Sequence, residues 1–125
     1  MILTLPITPV AWQRVQRGRY GQSFVPTKTR VFKSTIARLA AAGGLRPRTG
    51  PVSLRVIFYL PRPKRPKAER PMTRPDVDNY VKAVLDGLNG VAWHDDSQVV
   101  TLHAEKHYTL TGKPYLELEI LDLIG

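Results

Sequence analysis

The chain has 125 residues, enough for one domain with a real core, and sets 19 lysines and arginines against 10 aspartates and glutamates, for a formal charge of +9 and a pI near 10.3. That balance points to a polyanionic partner, nucleic acid first, and the proline-rich rather than amphipathic basic clusters argue against a membrane surface. The absence of cysteine excludes disulfides, thiolate zinc sites and a cysteine nucleophile.

Residues 2–5 form a short apolar run ended by Pro6, which predicts a first strand. The opening lacks the basic start and long apolar stretch of a signal peptide, and no run approaches the roughly 20 apolar residues that span a bilayer. The expectation is a soluble, cytoplasmic protein. No period survives over residues 8–26, which read as a loop carrying Arg14, Arg17 and Arg19 among Trp12, Tyr20 and Phe24. Thr27 is a reasonable N-cap for a helix running to about Ala42, where Gly43 and Gly44 stop it. Val31, Phe32, Thr35, Ile36 and Leu39 make its expected buried stripe. Val52, Leu54, Val56, Phe58 and Leu60 then alternate with Ser53, Arg55, Ile57 and Tyr59, the signature of a strand. The apolar Ile57 and Tyr59 predict that this strand is central and covered on both faces.

Residues 61–75 hold five prolines and six basic residues, Arg62, Lys64, Arg65, Lys67, Arg70 and Arg74. They cannot enter a core and read as a flexible loop, either a plain connector or a nucleic-acid-contacting flap. A second helix starts near Asp76 and ends at Asn89 and Gly90, with Val77, Val81, Val84, Leu85 and Leu88 on its apolar face. Residues 97–108 and 115–121 read as two strands joined by a hairpin turn over 109–114. Strand, helix, strand, helix and two strands predict a single α+β domain over 1–125, a small mixed sheet of about four strands with two helices packed on it.

The acids cluster in a way that a basic chain does not require. Asp76 and Asp78 straddle a helix start, where two carboxylates two residues apart can face one ion and free helix N–H groups favour negative charge. The competing explanation is that one of them only caps the helix. Lys82 follows Asp78 by one turn, placed either to neutralise a phosphate oxygen or merely to pair with Asp78; Asp86 is one turn further. Asp95 and Asp96 lie in good turn material, yet a connection folding back to the helix start would bring a third carboxylate to Asp76 and Asp78. Three carboxylates with waters suit Mg2+, which activates water for phosphodiester hydrolysis. Weaker signals are His103, Glu105 and His107 alternating on one strand face, a turn residue His94, and Trp93, which reads as a core anchor. No Walker loop, Rossmann fingerprint, serine triad or zinc pattern is present.

Arg74-Pro75-Asp76-Val77-Asp78-Asn79-Tyr80-Val81-Lys82, then Asp86-Gly87-Leu88, then Trp93-His94-Asp95-Asp96-Ser97-Gln98-Val99-Val100 resembles the RusA family of Holliday junction resolvases. The match is strongest over 74–106. The resemblance implies a homodimer acting on four-way junction DNA by paired nicks. It also implies Mg2+, with Mn2+ as a substitute ion, held by Asp76, Asp78 and Asp96 with Asp95 beside them, and Lys82 needed for cleavage. The arginines of 8–26 and the basic loop 61–75 become the expected DNA contacts. Thr8-Pro9-Val10-Ala11-Trp12 stands where the family commonly has a Ser-Asn pair, and the loop is richer in proline than usual. The rival reading is a non-catalytic basic nucleic-acid-binding module.

Overall fold

The computed structural model describes residues 1–14 and 16–124, without the side chains of Gln16 and Phe24. Its elements are β1 (Ile2–Leu5), β2 (Gln16–Arg17), β3 (Ser23–Phe24), α1 (Thr27–Ala42), β4 (Val52–Leu60), α2 (Val77–Leu88), a single 3₁₀ turn (Asp96–Gln98), β5 (Val99–Tyr108) and β6 (Tyr115–Asp122). The main sheet has the order β1-β6-β4-β5, while β2 and β3 form a small separate ribbon within the expected loop 8–26. The fold is α+β, as the order of strand and helix signals predicts. Among the described residues no helix is long and apolar enough to cross a membrane.

β4 is central because both of its edges are taken, by β5 in parallel and β6 in antiparallel register. Its residues Val52, Leu54, Val56, Phe58 and Leu60 are buried with Leu116, Leu118 and Ile120 of β6 under both helices. The opposite face has no helix layer. Arg55 is exposed there, and Ile57 is buried although it stands outside the main cluster, between Glu105 and Glu117 on the flanking strands. Expected cover on both faces is thus true of Ile57 and not of the whole strand.

The two helices pack closely because one of them has no side chain at the contact. A Cβ on Gly87 would stand 2.4 Å from Cγ2 of the fully buried Ile36. α1 begins one residue earlier in its cap than expected: Pro26 holds the N-cap position and Thr27 is already helical. Phe32, Ile36 and Ala40 face inward with Thr29, whereas Val31 is 57% exposed, because the inward stripe is narrower than the apolar residues suggest. On α2 the buried positions are Tyr80, Val81, Ala83, Val84, Gly87 and Leu88. Tyr80 meets Phe58 with ring centroids 5.3 Å apart, a contact worth roughly 0.5–1.5 kcal/mol beyond its area.

The expected hairpin over 109–114 is not one. β5 and β6 are separated by β4, so the connection steps over the end of β4 rather than turning between neighbours. Two strand spacings are about 9.6 Å, which six residues span easily. Thr109 fixes the step: its N–H donates to the Leu60 carbonyl at 2.8 Å and its hydroxyl to the Lys113 carbonyl at 2.8 Å. Length and turn residues alone do not separate these two connections.

Candidate metal and nucleic-acid site

Asp76 stands at the N-cap of α2 with extended backbone, φ −72° and ψ 153°, but its side chain makes no capping hydrogen bond. The carboxylate is therefore not consumed by the helix. Asp78 lies in the first turn. Among the described residues the ion pairs are Arg48 with Asp122, Arg55 with Glu117, and Glu105 with His103 and His107. Asp76, Asp78, Asp86 and Asp96 enter none of them, although cations abound in the chain. Two exposed carboxylates without partners, at a helix end whose free N–H groups favour negative charge, are available to a cation. Arg74, Pro75, Asp76 and Asn79 line a surface hollow of about 380 Å³. A larger hollow of about 620 Å³, between Val10 and the Val31 face of α1, is apolar and holds no acid.

Lys82 does not pair with Asp78. Its ammonium stands 4.1 Å from the ring centroid of Trp12, a cation–π contact worth about 0.5–1 kcal/mol at an exposed site. The Trp12 N–H donates to the Asn79 carbonyl at 2.8 Å, which lays the N-terminal segment across the first turns of α2. Trp12 falls where the sequence departs from the usual Ser-Asn pair. Its role has no signal in periodicity, since residues 8–14 have none.

Asp95 and Asp96 divide their labour. Asp95 caps the 3₁₀ turn: a carboxylate oxygen accepts from the Ser97 N–H at 3.1 Å, and these hydrogen bonds hold its pKa below the usual range. Gln98 completes the box by accepting from the Asp95 N–H at 3.0 Å and the His94 N–H at 2.8 Å. Its amide donates to the carbonyls of Arg48 and Gly50, at 2.7 and 2.9 Å, which anchors the turn beside the start of β4. Asp96 is half-buried and enters no ion pair.

That anchor corrects the expectation that the turn folds back to the opening of α2. β5 is parallel to β4 and starts opposite Val52, so α2 must run the length of the pair before the chain can re-enter the sheet. Asp96 is left where α2 ends, whereas residues 73–75, just before Asp76, are tied to Lys106 near the other end of β5. Lys106 lies seven residue steps along β5 from Val99, about 23 Å. Among the described residues no group of three His, Asp or Glu is arranged to hold an ion. Asp76 and Asp78 fit a hard cation; Asp96 of the same chain is not brought to them.

The family model for Endodeoxyribonuclease RusA matches residues 6–121. This chain belongs to the RusA family. A relative, the uncharacterized protein YqaN of Bacillus subtilis (strain 168), is 42% identical over an alignment covering 78% of this chain and 77% of its own. RusA membership makes DNA cleavage the activity against which the remaining surface is to be understood. Arg14, Arg17 and Arg19 are exposed, as are Arg62, Lys64, Arg65, Lys67, Arg70 and Arg74, and none of them forms an ion pair among the described residues. The loop 61–75 leaves β4 at Leu60 and delivers the chain to Asp76, so its cations flank the carboxylates. Arg62, Arg74, Tyr80 and Tyr108 line a further hollow of about 390 Å³ at its base.

The weaker sequence signals resolve structurally. Trp93 is fully buried with its indole N–H on the Asn89 side chain at 2.8 Å, a core anchor as expected. His94 is exposed. Glu105 bridges His103 and His107 through its two oxygens at 2.7 and 2.9 Å, which holds its pKa down to about 2. Those three residues satisfy one another on the open face of the sheet.

Proposed function

We propose that this chain is a Mg2+-dependent endonuclease that resolves four-way DNA junctions by paired, symmetric nicks. The observation that carries the proposal is the pair Asp76, which makes no capping bond, and Asp78, neither in an ion pair among the described residues, at the foot of a basic loop in a RusA-family chain. Asp76 and Asp78 would hold the ion; when bound, it supplies Lewis-acid stabilisation of the phosphate and a more acidic water. Lys82 neutralises charge on the scissile phosphate, and Trp12 holds its ammonium on the correct side of α2. The exposed arginines and lysines of 14–19 and 62–74 grip the backbone, giving affinity without reading bases. Junction preference then comes from shape.

A junction has near two-fold symmetry, and an isologous dimer with one site per protomer answers it. The dimer also accounts for Asp96. It is the third carboxylate that the family resemblance implies, and a two-fold arrangement delivers it to the Asp76 and Asp78 of the other protomer. If about six phosphates are neutralised, log affinity falls with log salt at a slope near −5.

The test is incubation with a synthetic four-way junction, linear duplex and flap DNA, with and without Mg2+. Symmetric nicks in the junction that require the ion are the expected result. A retarded but uncut junction at every metal concentration would refute hydrolysis in favour of a binding module. Equal cutting of all three substrates would remove the junction from the proposal.

A further inference from the structure

We infer that Lys106 is a positioning residue, tethering the end of the basic loop to the sheet and thereby setting where Asp76 stands. The inference deepens the nuclease reading and rests on it.

The strand pattern makes Lys106 unusual. His103, Glu105 and His107 project from the open face of β5, so Lys106 projects to the helix side, in register with the fully buried Phe58. Phe58 in turn meets Tyr80 of α2, so the ammonium sits beside the first turns of that helix. The Lys106 side chain is half-buried, and its ammonium reaches the exposed rim of that face. It finds no carboxylate within 4 Å among the described residues. Instead it donates to two backbone carbonyls, Thr73 and Pro75, each at 2.8 Å.

Those carbonyls bracket Arg74 and immediately precede Asp76. Apart from the buried Pro71, the loop has few hydrogen bonds to fix it: five of residues 61–75 are prolines without an N–H, and the internal backbone bond described there is Met72 to Arg70. Lysine offers three donors on a flexible stem, and two of them are used here on carbonyls two residues apart in the lead-in. Asp76 is held from its other side by α2, where its carbonyl accepts from the Asn79 and Tyr80 N–H groups at 3.2 and 3.4 Å. Without the tether its lead-in is freed, and the orientation of the N-cap carboxylate shifts with it. Displacement by about 1 Å is enough to cost on the order of a hundredfold in a positioned site.

The experiment compares wild type with Lys106→Met, which keeps the aliphatic stem, and Lys106→Arg, which keeps a charged donor. Nicking of a four-way junction is titrated with Mg2+, and amide hydrogen exchange is followed over residues 72–79 of the full chain. The expected result for Lys106→Met is an increase of about 10-fold or more in the Mg2+ giving half-maximal nicking. Junction binding without metal stays at the wild-type level, and exchange over 72–79 quickens at least about tenfold as the tether is lost. Lys106→Arg stays near wild type on both measures. Unchanged Mg2+ dependence in Lys106→Met overturns the inference, even if its Tm falls. If Lys106→Met does not fold, a Lys106→Arg variant with wild-type exchange and normal Mg2+ dependence is the expected rescue, and one behaving as an unfolded chain overturns positioning in favour of a core role. Wild-type protein that cuts nothing refutes the nuclease reading separately, and unquickened exchange in Lys106→Met then overturns the tether as well.

Discussion

Asp76 and Asp95 each occupy the N-cap position of a helix, yet only Asp95 caps. The difference follows from what surrounds the two ends of α2. At its C-terminal end the chain is fastened: Trp93 is bonded to Asn89, Gln98 to Arg48 and Gly50, and Gly87 is pressed against Ile36. Asp95 is absorbed into structure there, whereas its neighbour Asp96 enters no ion pair among the described residues. At the N-terminal end Asp76 and Asp78 enter no ion pair among the described residues, and Lys82 turns away to Trp12. A carboxylate that the fold does not use is the one left for chemistry.

The largest effect is expected at the N-terminal end. Asp78→Asn should lower junction nicking on the order of 10²–10³-fold while leaving Tm and junction binding intact or slightly tighter, because only repulsion is removed. Gel-shift and nicking assays on the same junction separate the two. A variant that cuts normally removes Asp78 from the site. The same substitution probes the dimer: mixing Asp78→Asn with Asp96→Asn chains yields heterodimers in which one composite site keeps both aspartates. Recovery of single-strand nicks, absent from either variant alone, is expected if Asp96 serves its partner. No recovery would place each site within one chain.

At the fastened end the readout is stability. Gly87→Ala gains helix propensity of about 1 kcal/mol but drives a methyl into Ile36, which cannot move away. Overpacking of this kind costs roughly 1–3 kcal/mol, so the net change is a loss of up to about 2 kcal/mol, seen as a lower urea midpoint with a little-changed m value.

The contrast also shows what the sequence carries. The alternation through Val52 to Leu60 announces a central strand, and the run from Asp76 to Lys82 announces a helix with acids at its mouth. Both are local patterns, and both survive folding. The step of 109–114 over β4, the exposure of Val31 and the distance of Asp96 from Asp76 depend on which strands neighbour one another, and no local period encodes that. Trp12 and Lys106 were illegible for the same reason: each matters through a contact with a segment at least 31 residues away.

A smaller effect is expected where the two segments meet. Trp12→Ala releases the Lys82 ammonium and should reduce nicking only about 2–5-fold, the equivalent of one exposed cation–π contact. Trp12→Phe should recover part of it. A loss as large as that of Asp78→Asn would mean that Trp12 contacts DNA itself.

Glu105 offers the sharpest control, since it is a carboxylate with partners that stands apart from α2. His103 and His107 hold its pKa down to about 2, from a usual 4.5. A carboxylate whose folded pKa is depressed stabilises the fold above its unfolded pKa, and that contribution fades as pH falls from about 4.5 through about 2. The difference in Tm between wild type and Glu105→Gln should therefore be fully present at about pH 4.5 and shrink toward zero at pH 2, while nicking at neutral pH is untouched. An NMR titration of the Glu105 carboxyl carbon with a midpoint near 4.5 would show that the histidines do not hold it in solution. A loss of nicking in Glu105→Gln would extend the reactive region from the opening of α2 across β5, and the division between acids used by the fold and acids left free would no longer describe the molecule.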